Sequence, residues 1–305
     1  MVRLCVLGAT GNVGAHVVGA LLRMRREAAA ATEGNAGPLA AATLRLVTRT
    51  PEALWARLAE RGAGDGVEVV QADVLDPESL ASAMAGVDRA FLALPQSLSS
   101  EHMEQASRNV ADAAKAAGVR VIVRLSSLGI DNMGLQPGQQ SQGRLGQSHV
   151  KGEAYARECG LALTSVRPTS FSSNFLKYDY EGVCGRRAFA SPLGHQAAVN
   201  WVTCEDIGAV AAVALADASF DGRVLDVTGP PESTLTAAAM AECLSKAVGS
   251  PVAYEEVAPP PMADMQDLWK FLRGGGFACA TTTVEEVTGR TPTSFADFLS
   301  SLSFD

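Results

Sequence analysis

Residues 2–14 read Val-Arg-Leu-Cys-Val-Leu-Gly-Ala-Thr-Gly-Asn-Val-Gly, and an apolar helical pattern follows to about Met24. Val2–Leu7 is an apolar run of strand length, and Gly8, Gly11 and Gly14 punctuate the turn that joins it to the helix. Strand, glycine turn and helix in this order form a dinucleotide-binding unit. The first glycine permits the tight turn, the second lets the backbone approach a pyrophosphate, and the third lets helix and strand pack closely. The helix start then offers N–H groups and a positive dipole end to the phosphates. Thr10, Asn12 and Val13 line that turn. A purely structural glycine turn is the competing reading, and the agreement of strand, spacing and helix speaks against it.

The same rhythm continues outward. Short apolar runs at Thr43–Thr48, Val67–Gln71, Arg89–Leu94, Arg120–Leu125 and Ala162–Val166 alternate with helical stretches, the last of them around Val150–Glu158. Strands separated by helices argue for right-handed crossovers. The expected fold is α/β, a doubly wound parallel Rossmann sheet with a smaller C-terminal substrate lobe: residues 1–168 form the dinucleotide-binding core, and 169–305 complete the sheet and form the lobe. Residues 28–42, mostly Ala, read as a loop insertion with a frayed helix end. Beyond Pro168 the sequence predicts short elements at Val199–Val202 and Arg223–Val227 and helices over Glu205–Ala216, Thr234–Val248 and Met262–Leu272. Gly274–Gly276 reads as a flexible joint, and Gly289–Thr293 precedes a final amphipathic helix.

Composition narrows the partners. With 305 residues, 47% of them hydrophobic, the chain is long enough for one extended core or a core with an appended lobe. A net charge of -8 without a Lys/Arg run argues against nucleic acid. The six cysteines and four histidines are scattered, with no spacing that holds zinc, so no metal is expected and a reducing compartment is the simpler reading. No leader precedes the first strand, and no apolar stretch approaches the roughly 20 residues that span a bilayer. A soluble, cytoplasmic protein without a membrane partner is expected.

Cofactor choice falls to the end of the second strand, where a carboxylate would hold the ribose hydroxyls of NAD. Arg49 stands there instead. A guanidinium pairs with a 2'-phosphate and stacks on adenine, so NADP is favoured, the alternative being that Arg49 is a solvated surface residue. Asp73, after the third strand, suits the adenine amino group or a cap on the following turn.

Together these residues resemble the NmrA-like branch of the atypical short-chain dehydrogenases/reductases. The likeness runs through Gly8–Gly14, Ala72-Asp73-Val74, Ala93-Leu94-Pro95, Leu125-Ser126-Ser127, His149–Glu153, Val166-Arg167-Pro168, Phe171, Asn174 and Val287–Pro292. It implies that Val74, Leu94, Pro95, Ser126 and Pro168 neighbour the cofactor. The larger superfamily carries Tyr-x-x-x-Lys, in which lysine lowers the tyrosine pKa. Here Tyr155, Tyr178, Tyr180 and Tyr254 are followed four residues on by Cys159, Gly182, Cys184 and Ala258, so no such pair exists. In family register the tyrosine position falls on Leu145 and the lysine position on His149. Leucine transfers no proton. Glu153, one turn beyond His149, either holds the imidazole or forms an exposed helix pair with it. Ser127 matches the position of the superfamily's catalytic hydroxyl, although serine is also common at strand ends. Ser127 and His149 are the candidate catalytic residues.

The first function this supports is an NADPH-dependent oxidoreductase that delivers hydride to a small electrophilic acceptor, a quinone, an iminium ion or a cationic dye. The second is a non-catalytic NADP-binding redox sensor that acts through a protein partner. The third, an electron-transfer or assembly factor of an organelle, lacks the transit peptide it would need. Segments Phe171–Arg187 and Met262–Phe277 are expected to close over the nicotinamide, with Phe171, Asn174 and Trp269 toward substrate.

Overall fold

The computed structural model describes residues 2–30, 39–60, 66–95, 97–130 and 144–304. Part of the Ala-rich stretch, residues 31–38, lies outside them, and so does the side chain of Leu145. The first half of the chain alternates without exception: β1 (Arg3–Leu7), α1 (Asn12–Ala30), β2 (Thr43–Thr48), α2 (Pro51–Glu60), β3 (Val67–Gln71), α3 (Pro77–Met84), β4 (Arg89–Leu92), α4 (Ser100–Ala117), β5 (Val121–Leu125), α5 (Arg144–Glu158) and β6 (Ala162–Pro168). Then come β7 (Ser170–Phe171), α6 (Asn174–Tyr178), α7 (Tyr180–Arg186), β8 (Ala188–Ser191), β9 (Ala198–Val202), α8 (Cys204–Ala216), β10 (Val224–Val227) and β11 (Thr234–Thr236). The chain ends with α9 (Ala237–Val248), β12 (Ala253–Glu256), α10 (Ala263–Arg273), α11 (Thr283–Thr288) and α12 (Phe295–Ser300).

Seven strands form the main sheet in the order β10-β6-β5-β4-β1-β2-β3. The order reverses direction at β1, so the glycine turn sits at the topological switch point, where such sheets bind ligands. Expected and observed strands agree closely because each is a short β-branched run between breakers. The fourth ends at Leu92 rather than Leu94, although Ala93 N still donates to Leu7 O at 3.2 Å.

The chain divides into two compact units, neither continuous: residues 1–126, 148–166 and 208–225 form one, and residues 127–147, 167–207 and 226–305 the other. Strand β6, helix α8 and strand β10 each run from one unit into the other, and the single boundary expected at 168 lies beside the passage in β6. The first unit buries Cys5, Leu7, Leu80, Met84, Ile122 and Leu163 in one core. In it α8 approaches α1 so closely that a Cβ on Gly208 would stand 2.5 Å from His16 Cβ.

The second unit gathers Phe175, Phe189, Leu235, Leu244 and Phe295 around two small sheets, β11-β9-β7 and β12-β8. Two expectations are corrected there. Thr234–Thr236 is a strand paired antiparallel with β9, not the first turn of a helix; α9 starts after it, with Thr236 Oγ1 accepting from Ala239 N at 3.2 Å. Nor is Gly274–Gly276 a loose joint. A Cβ on Gly276 would lie 2.2 Å from the Phe271 ring and one on Gly129 2.7 Å, so both glycines make room for that ring, which meets Phe277 edge-on at 5.3 Å.

Candidate cofactor and catalytic site

Register aligns one edge of the parallel sheet. Leu7 stands opposite Val47 and Leu92, Val47 opposite Val70, Leu92 opposite Arg124, and Leu125 opposite Val166. Gly8, Arg49, Asp73, Leu94 and Ser126 follow these positions by one to three residues, so the structure brings them to the same C-terminal edge.

The glycine turn has no room for side chains. Gly8 has φ +84° and a Cβ there would stand 2.6 Å from Ala93 O. Its carbonyl accepts from Gly11 N at 3.0 Å. A Cβ on Gly14 would stand 2.0 Å from the same Gly8 oxygen. Val13 and Gly14 are buried while Thr10, Gly11 and Asn12 are exposed, so the turn into α1 is open at those three residues. That cradle suits a pyrophosphate.

Arg49 is exposed directly beyond β2, its carbonyl held by Gln71 Nε2 at 3.2 Å. Asp73 Oδ1 accepts from Leu75 N at 2.9 Å, which is the turn-capping role, and Val74 O accepts from Asn109 Nδ2 at 3.1 Å. Leu94 packs on the core, and Pro95 O accepts from Leu98 N at 3.2 Å. Ser126 N donates to Val166 O at 2.8 Å, and its buried hydroxyl finds no partner among the described residues. A buried hydroxyl without a partner among the described residues is open to a donor or acceptor brought by a ligand.

Helix α5 places His149, half-buried, one turn before Glu153. Glu153 is 1% exposed, so the exposed-pair reading of these two residues does not hold. Its carboxylate accepts from Arg157 Nη2 at 3.2 Å. Beneath the helix lies a residue that sequence reasoning missed. Arg124, on β5, is 2% exposed; Nη1 donates to Ser107 Oγ at 3.0 Å, while Nε and Nη2 have no partner among the described residues. Burial pushes its pKa down to about 10, the Glu153 carboxylate working the other way, so it stays charged at neutral pH. A cation inside the apolar run Val121-Ile122-Val123-Arg124-Leu125 was the available signal.

The remaining candidate residues belong to the second unit. Pro168 O accepts from Leu128 N at 3.0 Å, which brings Ser127 and Pro168 together, and among the described residues Ser127 Oγ has only a 3.5 Å contact with Leu128 O. Next to Pro168, Thr169 Oγ1 donates to Asn200 Oδ1 at 3.1 Å; Asn200, fully buried, also accepts from Gly229 N at 2.8 Å and donates to Thr234 Oγ1 at 3.0 Å. Phe171, Asn174 and Trp269 are half-buried. Among the described residues no group of three His, Cys, Asp or Glu could hold a metal, and no helix is long and apolar enough to cross a membrane.

A family model described as the NmrA-like family matches residues 2–269. The chain belongs to the NmrA-like family. Of its NmrA-like relatives, the (4-alkanoyl-5-oxo-2,5-dihydrofuran-3-yl)methyl phosphate reductase of Streptomyces griseus is 32% identical, over 96% of this chain and 95% of its own. The NAD(P)H azoreductase of Xenophilus azovorans is 29% identical, over 96% and 95%. Among solved structures, the NADPH-dependent quinone oxidoreductase of Escherichia coli complexed with NADPH superposes with a TM-score of 0.78 at 25% identity, covering 98% of this NmrA-like chain and 99% of that one.

Proposed function

We propose that the protein is an NADPH-dependent oxidoreductase acting on a small acceptor that is already electrophilic. The cofactor half of this reading is supported by the Gly8–Gly14 approach, where a side chain at either glycine would collide with backbone at the turn into α1. Bound NADPH supplies a hydride. The residues of the chain hold and orient it: the α1 N–H groups take the pyrophosphate, Arg49 the 2'-phosphate, Asp73 and Val74 the adenine side, and Leu94, Pro95, Ser126 and Pro168 the remaining length. Ser127 Oγ, with only a long internal contact, is available to orient an acceptor oxygen, and Phe171, Asn174 and Trp269 shape the acceptor's surroundings.

The acceptor half rests on Leu145. Without an acid at that position a simple ketone would have to become an alkoxide, which one serine hydroxyl stabilises but cannot neutralise. Two of the acceptors in the relatives' names, the quinone and the dihydrofuranone, avoid this demand. In a quinone, and in a ring double bond flanked by an alkanoyl group and a lactone carbonyl, the electron pair is delocalised over oxygen, and the resulting anion is a far weaker base. Water or His149 can protonate it.

The test is NADPH oxidation by the purified protein against a panel of ketones, quinones and doubly activated enones. Turnover confined to the last two supports the reading. Brisk ketone reduction overturns the acceptor half, and tight NADPH binding with no turnover of any acceptor replaces the enzyme by a redox sensor acting through a protein partner.

A further inference from the structure

Arg124 has no role in the cofactor cradle, yet it is a buried cation on the strand that ends at Ser126. Three observations tie it to α5. A Cβ on Gly152 would stand 2.8 Å from Arg124 Nη2 and 2.7 Å from Ser107 Oγ, so the helix touches the guanidinium at a position where only glycine fits. The buried Glu153 carboxylate acts electrostatically on Arg124. Two of the three guanidinium nitrogens carry no hydrogen bond among the described residues, so the charge is not spent on a local ion pair.

Because β5 and β6 are parallel, α5 must run against them and its early residues lie toward the cofactor edge. His149 and Gly152, three apart, are neighbours on one helix face, with Cβ positions about 5–6 Å apart. Adding the 2.8 Å from Gly152 to Nη2 puts the guanidinium within roughly 9 Å of the His149 Cβ. We propose that Arg124 is a positioning residue for His149, seating α5 at Gly152 and setting the charge on the imidazole from beneath the helix. This rests on the reading of His149 as part of the site.

Among the described residues, several other charges around α5 are paired with one another. Glu104 of α4 pairs with Lys151 at 2.8 Å, Asp112 accepts from Tyr155 at 2.9 Å, and Arg108 stacks on the Tyr155 ring at 4.3 Å. Glu153 has a second cationic partner on its own helix, Arg157, at 3.2 Å. His149 is thus set by two opposed buried charges: Glu153 favours the imidazolium and Arg124 disfavours it.

The experiment is an NMR pH titration of the four histidines in labelled protein, with His149 assigned from the H149N spectrum. At an effective dielectric of about 20, a charge at such a distance moves a midpoint by roughly one pH unit. Arg124→Met should therefore raise the His149 midpoint by about that much and leave His16, His102 and His195 in place. Arg124→Lys, which keeps the charge, should restore it, and Glu153→Gln should lower it. Should Arg124→Met fail to fold, Gly152→Ala, which forces helix and guanidinium apart, should move the midpoint in the same direction by less. A His149 midpoint unmoved in either folded variant overturns the proposal. If H149N retains full quinone turnover, the functional reading of His149 falls while the titration still decides the role of Arg124.

Discussion

The carbonyl oxygen of Gly8 lies 2.0 Å from where a Cβ on Gly14 would stand, whereas it lies 3.3 Å from a Cβ on Gly11. The two glycines are therefore required for different reasons. At Gly14 a methyl group collides with backbone inside the core, so Gly14→Ala should lower the melting temperature and abolish NADPH binding together. At the exposed Gly11 the Gly8 carbonyl need give by only a few tenths of an ångström, while in the proposed site the methyl stands in the pyrophosphate path. Gly11→Ala should keep the melting temperature within a few degrees and weaken NADPH about tenfold or more, or about 1.4 kcal/mol. Calorimetry and thermal unfolding on both variants read the difference; equal destabilisation would remove the distinction.

Arg49 decides between the two nicotinamide cofactors in this reading. A charge-assisted pair with the 2'-phosphate exists only for NADPH. Arg49→Ala should weaken NADPH about tenfold and change NADH less than about twofold. Equal losses for both cofactors would make Arg49 a general surface contact.

A second buried arginine serves the fold. Arg89 closes the C-terminal end of α8: Nε donates to Leu215 O at 2.6 Å, Nη2 to Ala214 O at 3.1 Å, and Nη1 to Asp221 Oδ2 at 3.1 Å. Arg89→Met strands those helix-end carbonyls and should cost about 2–4 kcal/mol of unfolding free energy. Asp221→Asn, at a carboxylate 30% exposed, should cost about 1 kcal/mol or less. Denaturant unfolding compares them, and a small loss in Arg89→Met would show that water replaces the guanidinium.

The sheet was legible because its signals are local. Thr43–Thr48 and Val67–Gln71 are apolar runs bounded by Gly, Pro or Thr, and the structure keeps the same limits. Thr234–Thr236 misleads because Ala and Met follow it without a breaker; pairing with β9, a long-range event, makes it a strand. The triple glycine at 274–276 reads as loose because its partner, the Phe271 ring, is visible only once the chain is folded. Of the site, the residues that close one backbone turn were readable as a spacing, Gly8 to Gly14. Arg124 and Gly152 were not, since their meaning lies in a contact between a strand and a helix 28 positions apart.

Asp179 gives a pH signature. It sits between α6 and α7, caps nothing with its side chain, and burial alone pushes its carboxyl up to about 7. A carboxyl with a raised folded pKa binds a proton in the native state that the unfolded chain has already lost. Stability is then full below about pH 4 and falls as pH rises toward about 7. Asp179→Asn should remove this slope, matching the parent at low pH and exceeding it at pH 8 by on the order of 2–3 kcal/mol. Parallel stability curves for the two proteins would mean that the carboxylate is solvated.

The proposed lack of an acid can be tested by supplying one. In the proposed register Leu145 takes the family's tyrosine position and His149 its lysine position, four residues later in α5. If the chain spares ketones only because nothing there donates a proton, Leu145→Tyr with His149→Lys should confer ketone reduction on a site that otherwise binds and orients its ligands. General acid catalysis contributes on the order of 10²–10⁴ in rate, so even a poorly aligned phenol should raise ketone turnover at least about tenfold over the parent. Leu145→Phe with His149→Lys controls for ring size, the added charge and the loss of the imidazole, so both ketone and quinone turnover are read against that variant. A gain confined to the tyrosine variant assigns the restriction to the missing phenol. No gain despite normal NADPH affinity would place the restriction in the shape of the acceptor pocket around Phe171, Asn174 and Trp269, and the missing-acid argument would have to be given up.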